Sequence, residues 1–156
     1  MKTPSRAAQL FTIGYEQVSS QAVLDTLSKA GVDLLVDVRA VAASRRPGFS
    51  KTLLAAGVQS REIGYLHLRG LGTPAEGRQA ARSGRHADMR RIFEEHLATP
   101  TAQEQLAELT ELVKSGRKAC LLCFERHPEH CHRQIIADIV CERVGVPVEH
   151  LLANPL

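Results

Sequence analysis

Short runs of apolar residues, separated by amphipathic stretches, predict a chain in which strands alternate with helices. The run at 34–38 is apolar at nearly every position, which is typical of a parallel strand covered by helices on both faces. The last run contains Pro147, which suits an edge strand. The predicted strands lie at residues 10–13, 34–38, 63–68, 118–124 and 146–151.

Apolar residues that recur every three or four positions predict helices between these strands. Ser19 or Ser20 can cap the first helix, and Gly31 is suited to end it. Thr101 and Glu104 form a candidate capping box for the helix before the fourth strand. The predicted helices cover residues 21–30, 51–56, 87–97, 101–115 and 131–144.

This alternation predicts one α/β domain over residues 1–156. We expect a three-layer αβα, Rossmann-like fold with a mostly parallel sheet of about four to five strands. Residues 69–86 are rich in glycine and arginine and fit the pattern least. We interpret them as a surface excursion or as a lid, with one helical turn.

Composition bears on the location of the protein. No apolar run reaches the about 18 residues that a membrane span needs. Residues 1–8 are basic, but no apolar signal core follows them. We therefore expect a cytoplasmic protein without a membrane partner, in which cysteines serve as thiols or ligands rather than disulfides. Of the four cysteines, Cys120 and Cys141 are expected in the core.

The net charge of +3 hides an asymmetry along the chain. Residues 39–91 hold ten arginines and one lysine against three acidic residues, a net charge of +8, and the remainder carries −5. Arginine is suited to forked contacts with phosphate. The segment therefore indicates a phosphate-bearing partner, with nucleic acid as one candidate. A solvated basic surface is the alternative explanation.

Polar side chains follow the apolar strands at the points where the strands end. Because the carboxyl ends of parallel strands meet at one edge of a sheet, these side chains predict a site there. They are Tyr15, Glu16, Asp37, Arg39, His67, Arg69, Cys123, Glu125, Cys131, His132 and Arg133.

The cysteines of this group allow three interpretations. Cys131 lies at a predicted helix N-terminus beside His132 and Arg133, where the pKa of a thiol falls, and it can therefore act as a nucleophile. Alternatively, Cys123, Cys131 and His132 bind zinc, although their spacing matches no standard zinc motif. In the third interpretation the cysteines are small buried hydrophobic residues, and Glu125 forms an ion pair that fixes the turn.

The cluster as a whole favours an enzyme that acts on a small anionic or phosphorylated, nucleotide-like substrate. A hydrolase or transferase with a cysteine or carboxylate active site fits these residue types. Asp37 also has a structural alternative, a pair with a neighbouring arginine. The sequence identifies no cofactor and no oligomeric state. Candidate catalytic residues are Cys131, Glu125, Asp37 and His132, and candidate anion-binding residues are Arg39, Arg133, His67, Arg69, Tyr15 and Arg45.

Four groups of motifs follow one another along the chain, at 12–15, 37–39 with 44–51, 65–68 with 71–72, and 122–125 with 131–133. Together they resemble the family called domain of unknown function 488, in the same order and over nearly the whole chain. The Cys-x-Glu pattern with the later Cys-His-Arg motif is the most specific part. The resemblance implies an α/β domain and marks Asp37, Arg39, Glu125, Cys131, His132 and Arg133 as motif positions.

Overall fold

A computed structural model describes residues 9–155 and shows five parallel strands covered by helices on both faces. The strands are β1 (Gln9–Gly14), β2 (Leu34–Asp37), β3 (Gly64–His67), β4 (Lys118–Cys123) and β5 (Val148–Leu151). The helices are α1 (Ser20–Ala30), α2 (Lys51–Gln59), α3 (Ala75–Arg82), α4 (His86–Leu97), α5 (Pro100–Lys114) and α6 (His132–Val144). The expected α/β fold is confirmed. Residues 1–8, where we expect no signal core, lie outside the described residues.

The sheet brings the ends of three strands side by side. Its order is β3-β2-β4-β1-β5, so β4 lies between β2 and β1. Gly14 at the end of β1 aligns with Cys123, and Asp37 at the end of β2 aligns with Leu122. Residues that are far apart in the sequence therefore follow neighbouring strands at the carboxyl edge.

Two apolar cores lie on opposite faces of the sheet, as its alternating side chains require. In β4, Leu121 and Cys123 face the core that α4, α5 and α6 cover. Cys120 and Leu122 face the other core, beneath α1 and α2. Cys123 therefore points to the same side of the sheet as α6, whose first turn follows Cys131.

The helix boundaries agree with the expected caps in part. Ser19 caps α1 by accepting a hydrogen bond from the Ala22 backbone N–H at 3.1 Å, and Gly31 ends the helix with φ of 79°. The prediction that Thr101 caps α5 is wrong. Thr99 is the cap, because Pro100 is suited to the first helical position, where no hydrogen on nitrogen is needed.

The segment 69–86 is more regular than expected. A 3₁₀ turn at Arg69–Leu71 precedes α3, which has two full turns and lies against α4. Within residues 9–155, no helix is both long and apolar enough to cross a membrane.

Candidate functional site

A cavity of about 370 Å³ opens at the carboxyl edge of the sheet, where the sequence predicts a site. The ends of β1 and β4, the loop after β2, the loop between β4 and α6, and helix α3 form its walls. Its polar lining residues are Tyr15, Arg39, Thr73, Arg78, Arg82, Cys123, Glu125, His130, Cys131 and His132. Concave, partly apolar sites of this size are typical of small-molecule binding.

Asp37 and Arg39 are buried and bound to each other at the wall of this cavity, which Arg39 lines and Asp37 does not. The Arg39 Nε and Nη2 atoms donate to the two Asp37 carboxylate oxygens at 2.8 and 2.7 Å, and the Arg39 backbone N–H donates to Oδ1 at 3.1 Å. Tyr65 donates its hydroxyl hydrogen to Oδ2 at 2.5 Å. Asp37 therefore shows the arginine pairing that was its structural alternative in the sequence.

The remaining hydrogens of Arg39 also have protein partners. Its Nη1 donates to the Phe49 carbonyl oxygen at 2.7 Å and to the Tyr15 hydroxyl at 3.2 Å. The Tyr15 ring stacks on Phe49 with centroids 4.4 Å apart. We expected Arg39 to bind a substrate anion, but only one N–H of Nη2 lacks an assigned bond. This geometry favours a structural role, because most of the donors that would hold an anion are already used.

The Cys123 and Cys131 sulfurs are paired at bonding distance, whereas we expected cysteines that serve as thiols or ligands rather than disulfides. The pairing arises because the end of β4 and the start of α6 lie on the same side of the sheet. Their Cα atoms are 7.6 Å apart. In this state Cys131 has no free thiolate and cannot be a nucleophile. Of the other two, Cys120 is buried as expected, whereas Cys141 is only partly buried.

His132 lies beside this pair and is fixed by the backbone. Its Nε2 is 2.8 Å from the Val38 carbonyl oxygen, which can only accept a hydrogen bond. Nε2 therefore carries the hydrogen, and the unprotonated Nδ1 lies 3.7 Å from the Cys131 sulfur. Burial lowers the pKa of His132 to about 4. The Cys123 and Cys131 sulfurs and a His132 nitrogen all lie within 4.8 Å of one another.

Arg133 is fully buried and holds the loop between β4 and α6. Its Nη1 donates to the Glu125 carbonyl oxygen at 2.5 Å and to the Cys123 sulfur at 3.3 Å, and its Nη2 donates to the Arg126 carbonyl oxygen at 3.1 Å. Burial lowers its pKa to about 10, so the guanidinium remains charged at neutral pH. Within residues 9–155, Arg133 forms no ion pair, and its Nε lacks a hydrogen-bond partner. Its donors face the loop, which makes Arg133 a poor match for the expected role of substrate anion binder.

Glu125 lines the cavity and is partly buried. Burial raises its pKa, and the nearby Glu16 carboxylate adds to this effect, whereas the charges of His130, Arg133 and Arg82 act in the opposite direction. Of the two carboxylates predicted to be catalytic, Glu125 lines the cavity and has cationic groups near it, whereas Asp37 does not line the cavity.

Three other predicted residues lie outside the cavity lining. His67 contacts the backbone, since its Nε2 lies 2.8 Å from the Arg39 carbonyl oxygen. Arg45 and Arg69 are exposed. The cavity walls do not include any of the three.

The sequence reasoning missed the two arginines that α3 contributes. Arg78 and Arg82 are one helical turn apart and both line the cavity. The available signal was their four-residue spacing in an arginine-rich segment. This spacing places two side chains on one face only if residues 75–82 form a complete helix, which the sequence pattern did not predict. Arg78 donates one hydrogen bond to the Thr73 carbonyl oxygen at 2.9 Å, and Arg82 is exposed.

Half of the arginines of the basic segment form ion pairs. Five of its ten arginines form ion pairs, four of them with neighbouring surface carboxylates. Arg46 is also engaged, because it donates to the backbone carbonyl oxygens of Tyr15 and Val18. The free positive charge of this segment is therefore much smaller than its composition suggests.

Comparison with protein families agrees with the motifs at this site. The family model named domain of unknown function DUF488 matches residues 19–140, which is most of the chain. The chain belongs to the DUF488 family. The match includes Asp37 and Arg39 as well as the whole DUF488 segment from Cys123 to Arg133. Neither the curated proteins nor the solved structures contain a match to this DUF488 chain.

Proposed function

We propose that this protein is an enzyme that acts on a small anionic substrate bound in the cavity between α3 and the carboxyl edge of the sheet. One observation carries the proposal: Glu125 and the α3 arginines Arg78 and Arg82 line the same cavity. A substrate there meets cations that attract its anionic group and a carboxylate that can orient it or exchange a proton with it.

The anion is assigned to α3 because the buried arginines have other partners. Arg39 is bound to Asp37, and Arg133 donates to backbone carbonyls of its own loop. Arg82 is exposed and forms no ion pair within residues 9–155. Arg78 has one assigned bond, so both residues keep donors for a phosphate or carboxylate.

The cavity also has an apolar part that fits a ring or chain attached to the anionic group. Val41 and Phe124 line it and are unusually exposed for large apolar residues, at 57% and 42%. Tyr15 adds its buried ring, which meets Phe124 edge to face at 5.4 Å. A nucleotide or another phosphorylated ring compound combines these two features.

The experiment screens phosphorylated and carboxylated metabolites, including nucleotides, by thermal shift, and measures the affinity of each binder by calorimetry. Replacing Arg82 with glutamine should weaken binding by about 10-fold or more, since hydrogen bonds to charged groups contribute about 1.5–3 kcal/mol. Turnover of each binder is then followed by product analysis, and Glu125→Gln should reduce it.

Arg91→Gln is the matched control, because Arg91 lies on α4, is exposed and pairs with Glu95 rather than lining the cavity. Equal losses for Arg82→Gln and Arg91→Gln would mean that the screen reports only overall charge. If no anion binds in a manner that depends on Arg78 or Arg82, the proposal fails.

Nucleic acid is the weaker candidate, because half of the arginines in the basic segment already pair with carboxylates. Binding to phosphate backbone would need many free cations and would fall steeply with salt.

A further inference from the structure

The Cys123, Cys131 and His132 group has the donor set of a metal site with one open position. Two cysteine sulfurs and an imidazole nitrogen within 4.8 Å of one another form a compact triangle, and all three residues line the cavity. Zinc bonds of about 2.3 Å to sulfur and about 2.0–2.1 Å to nitrogen place tetrahedral ligand atoms about 3.5–3.8 Å apart. The 3.7 Å between the Cys131 sulfur and His132 Nδ1 matches this spacing.

The backbone spacing of the cysteines also suits a bridging ion. Their Cα atoms are 7.6 Å apart, beyond the about 4.4–6.8 Å that disulfides usually span. A metal ion replaces one sulfur–sulfur bond by two longer metal–sulfur bonds. The two side chains can therefore reach a shared ion without closer approach of β4 and α6.

A backbone carbonyl group holds the His132 ring in the orientation that metal-binding histidines usually have. The Val38 carbonyl oxygen receives the Nε2 hydrogen at 2.8 Å, which leaves the Nδ1 lone pair toward the sulfurs. A metal-bound histidine ordinarily donates its other ring N–H to a carbonyl or carboxylate in this way. The imidazole is therefore already in the tautomer that a metal ion at Nδ1 requires.

The buried charge of Arg133 supplies an independent reason for thiolate at Cys123. Arg133 forms no ion pair within the described residues, and a buried cation is costly without a nearby anion. Its Nη1 donates to the Cys123 sulfur at 3.3 Å. A thiolate at Cys123 would give this guanidinium an anion in direct contact, in addition to the more distant charge of the Glu125 carboxylate.

We propose that reduction of the disulfide between Cys123 and Cys131 creates a zinc site, in which both thiolates and His132 Nδ1 bind one Zn²⁺ ion. Two sulfur ligands and one imidazole select zinc over Mg²⁺ or Ca²⁺, which prefer oxygen. Three protein ligands leave a fourth position, and it faces the cavity that the ligands line. Catalytic zinc sites keep such an open position for water or substrate. Zinc binding requires no substrate and therefore goes beyond the function proposed above.

Formation of the site balances as follows. A phosphine reductant transfers two electrons to the disulfide and becomes a phosphine oxide with oxygen from water, and the two sulfurs become thiols. Zn²⁺ then replaces one proton on each thiol, so two protons are released per ion bound. The two oxidation states thus differ in whether the metal site exists.

The experiment uses the full chain without a histidine tag. The protein is reduced with a phosphine under nitrogen, its four thiols are counted, and Zn²⁺ is added before gel filtration and elemental analysis. One zinc per chain is expected. Competition with a coloured chelator should show that Cys131→Ser and His132→Asn weaken binding by more than about 100-fold, since loss of an outer-shell partner alone costs about 10–100-fold.

Cys141→Ser and His127→Asn are the matched controls, because these residues lie outside the triangle and His127 is exposed. Both should keep full zinc affinity. Should a ligand variant fail to fold, Co²⁺ in the wild-type chain gives a second measurement: tetrahedral ligand-field bands and a thiolate charge-transfer band are expected.

Folded, fully reduced protein that binds less than one zinc would overturn the proposal, and so would equal losses in the control variants or an octahedral cobalt spectrum without thiolate charge transfer. Zinc is measured here without substrate. Failure of zinc binding therefore leaves the anion-binding proposal standing, and failure of anion binding leaves the zinc site standing.

Discussion

Replacement of Asp37 by asparagine should destabilise the fold strongly, although the two side chains have nearly the same shape. Asp37 is fully buried and accepts two side-chain hydrogen bonds from Arg39 and one from Tyr65. Asparagine removes the negative charge that balances Arg39. It also replaces one acceptor oxygen with an NH₂ group, which then faces the donors of Arg39 or Tyr65 without an acceptor. Breaking a buried ion pair by removing one partner costs about 3–5 kcal/mol. For a chain of this length, that loss lowers Tm by about 6–20 °C.

The assay is urea unfolding followed by circular dichroism, with a double-mutant cycle. Asp37→Asn, Arg39→Gln and the combination are compared with wild type, and a coupling energy of about 1–3 kcal/mol is expected because the residues touch. Asp25→Asn is the control, since Asp25 pairs with Arg61 but is 63% exposed. Exposed pairs contribute about 0–1 kcal/mol.

Two results would refute this reasoning. The first is that Asp37→Asn destabilises the protein no more than Asp25→Asn does. The second is that the double-mutant cycle shows no coupling energy between Asp37 and Arg39. Retained stability together with lost turnover would instead return Asp37 to the catalytic role that the sequence suggested.

Two further changes test the surroundings of the site. Gly14→Ala should lower the free energy of unfolding by about 1–3 kcal/mol and displace the cavity loop. The reason is that a Cβ atom at Gly14 overlaps the Glu125 carbonyl group and lies 2.6 Å from its carbon. Urea unfolding measures the first effect, and loss of anion affinity measures the second. Gly57→Ala in α2 is its control, because a Cβ atom there meets only the two Leu24 methyl carbons, at 3.3 and 3.7 Å, and the change should be neutral or stabilising. Tyr65→Phe should cost about 1.5–3 kcal/mol by removing a hydrogen bond to a charged acceptor, and an unchanged unfolding midpoint would contradict this.

The alternation of strands and helices was predictable because period and length alone distinguish parallel strands from the helices between them. The edge where Asp37, Glu125 and Cys131 meet followed from one topological rule, that parallel strands end together. The pairing of Cys123 with Cys131 was not predictable, since it depends on which face of the sheet Cys123 takes at the end of β4 and on where the loop places the start of α6. Only one helical turn was expected where α3 lies, because few residues of this helix are apolar and only Gly77 and Ala80 are buried.

The four arginines near the cavity differ in the number of hydrogen-bond donors that they leave unused, and we therefore propose different roles for them. Arg39 and Arg133 are buried, and a buried guanidinium is stable only when its hydrogens meet acceptors, so the protein itself uses them. Arg82 is exposed to water, so little free energy is lost when an anion replaces the water molecules around its guanidinium. In this chain the arginines of the sequence motifs, Arg39 and Arg133, therefore brace the backbone, whereas the proposed anion-binding arginines lie on α3, outside those motifs. Replacing Arg82 and Arg133 separately with glutamine distinguishes the two roles. Arg82→Gln should reduce anion affinity and leave stability unchanged, whereas Arg133→Gln should mainly reduce stability.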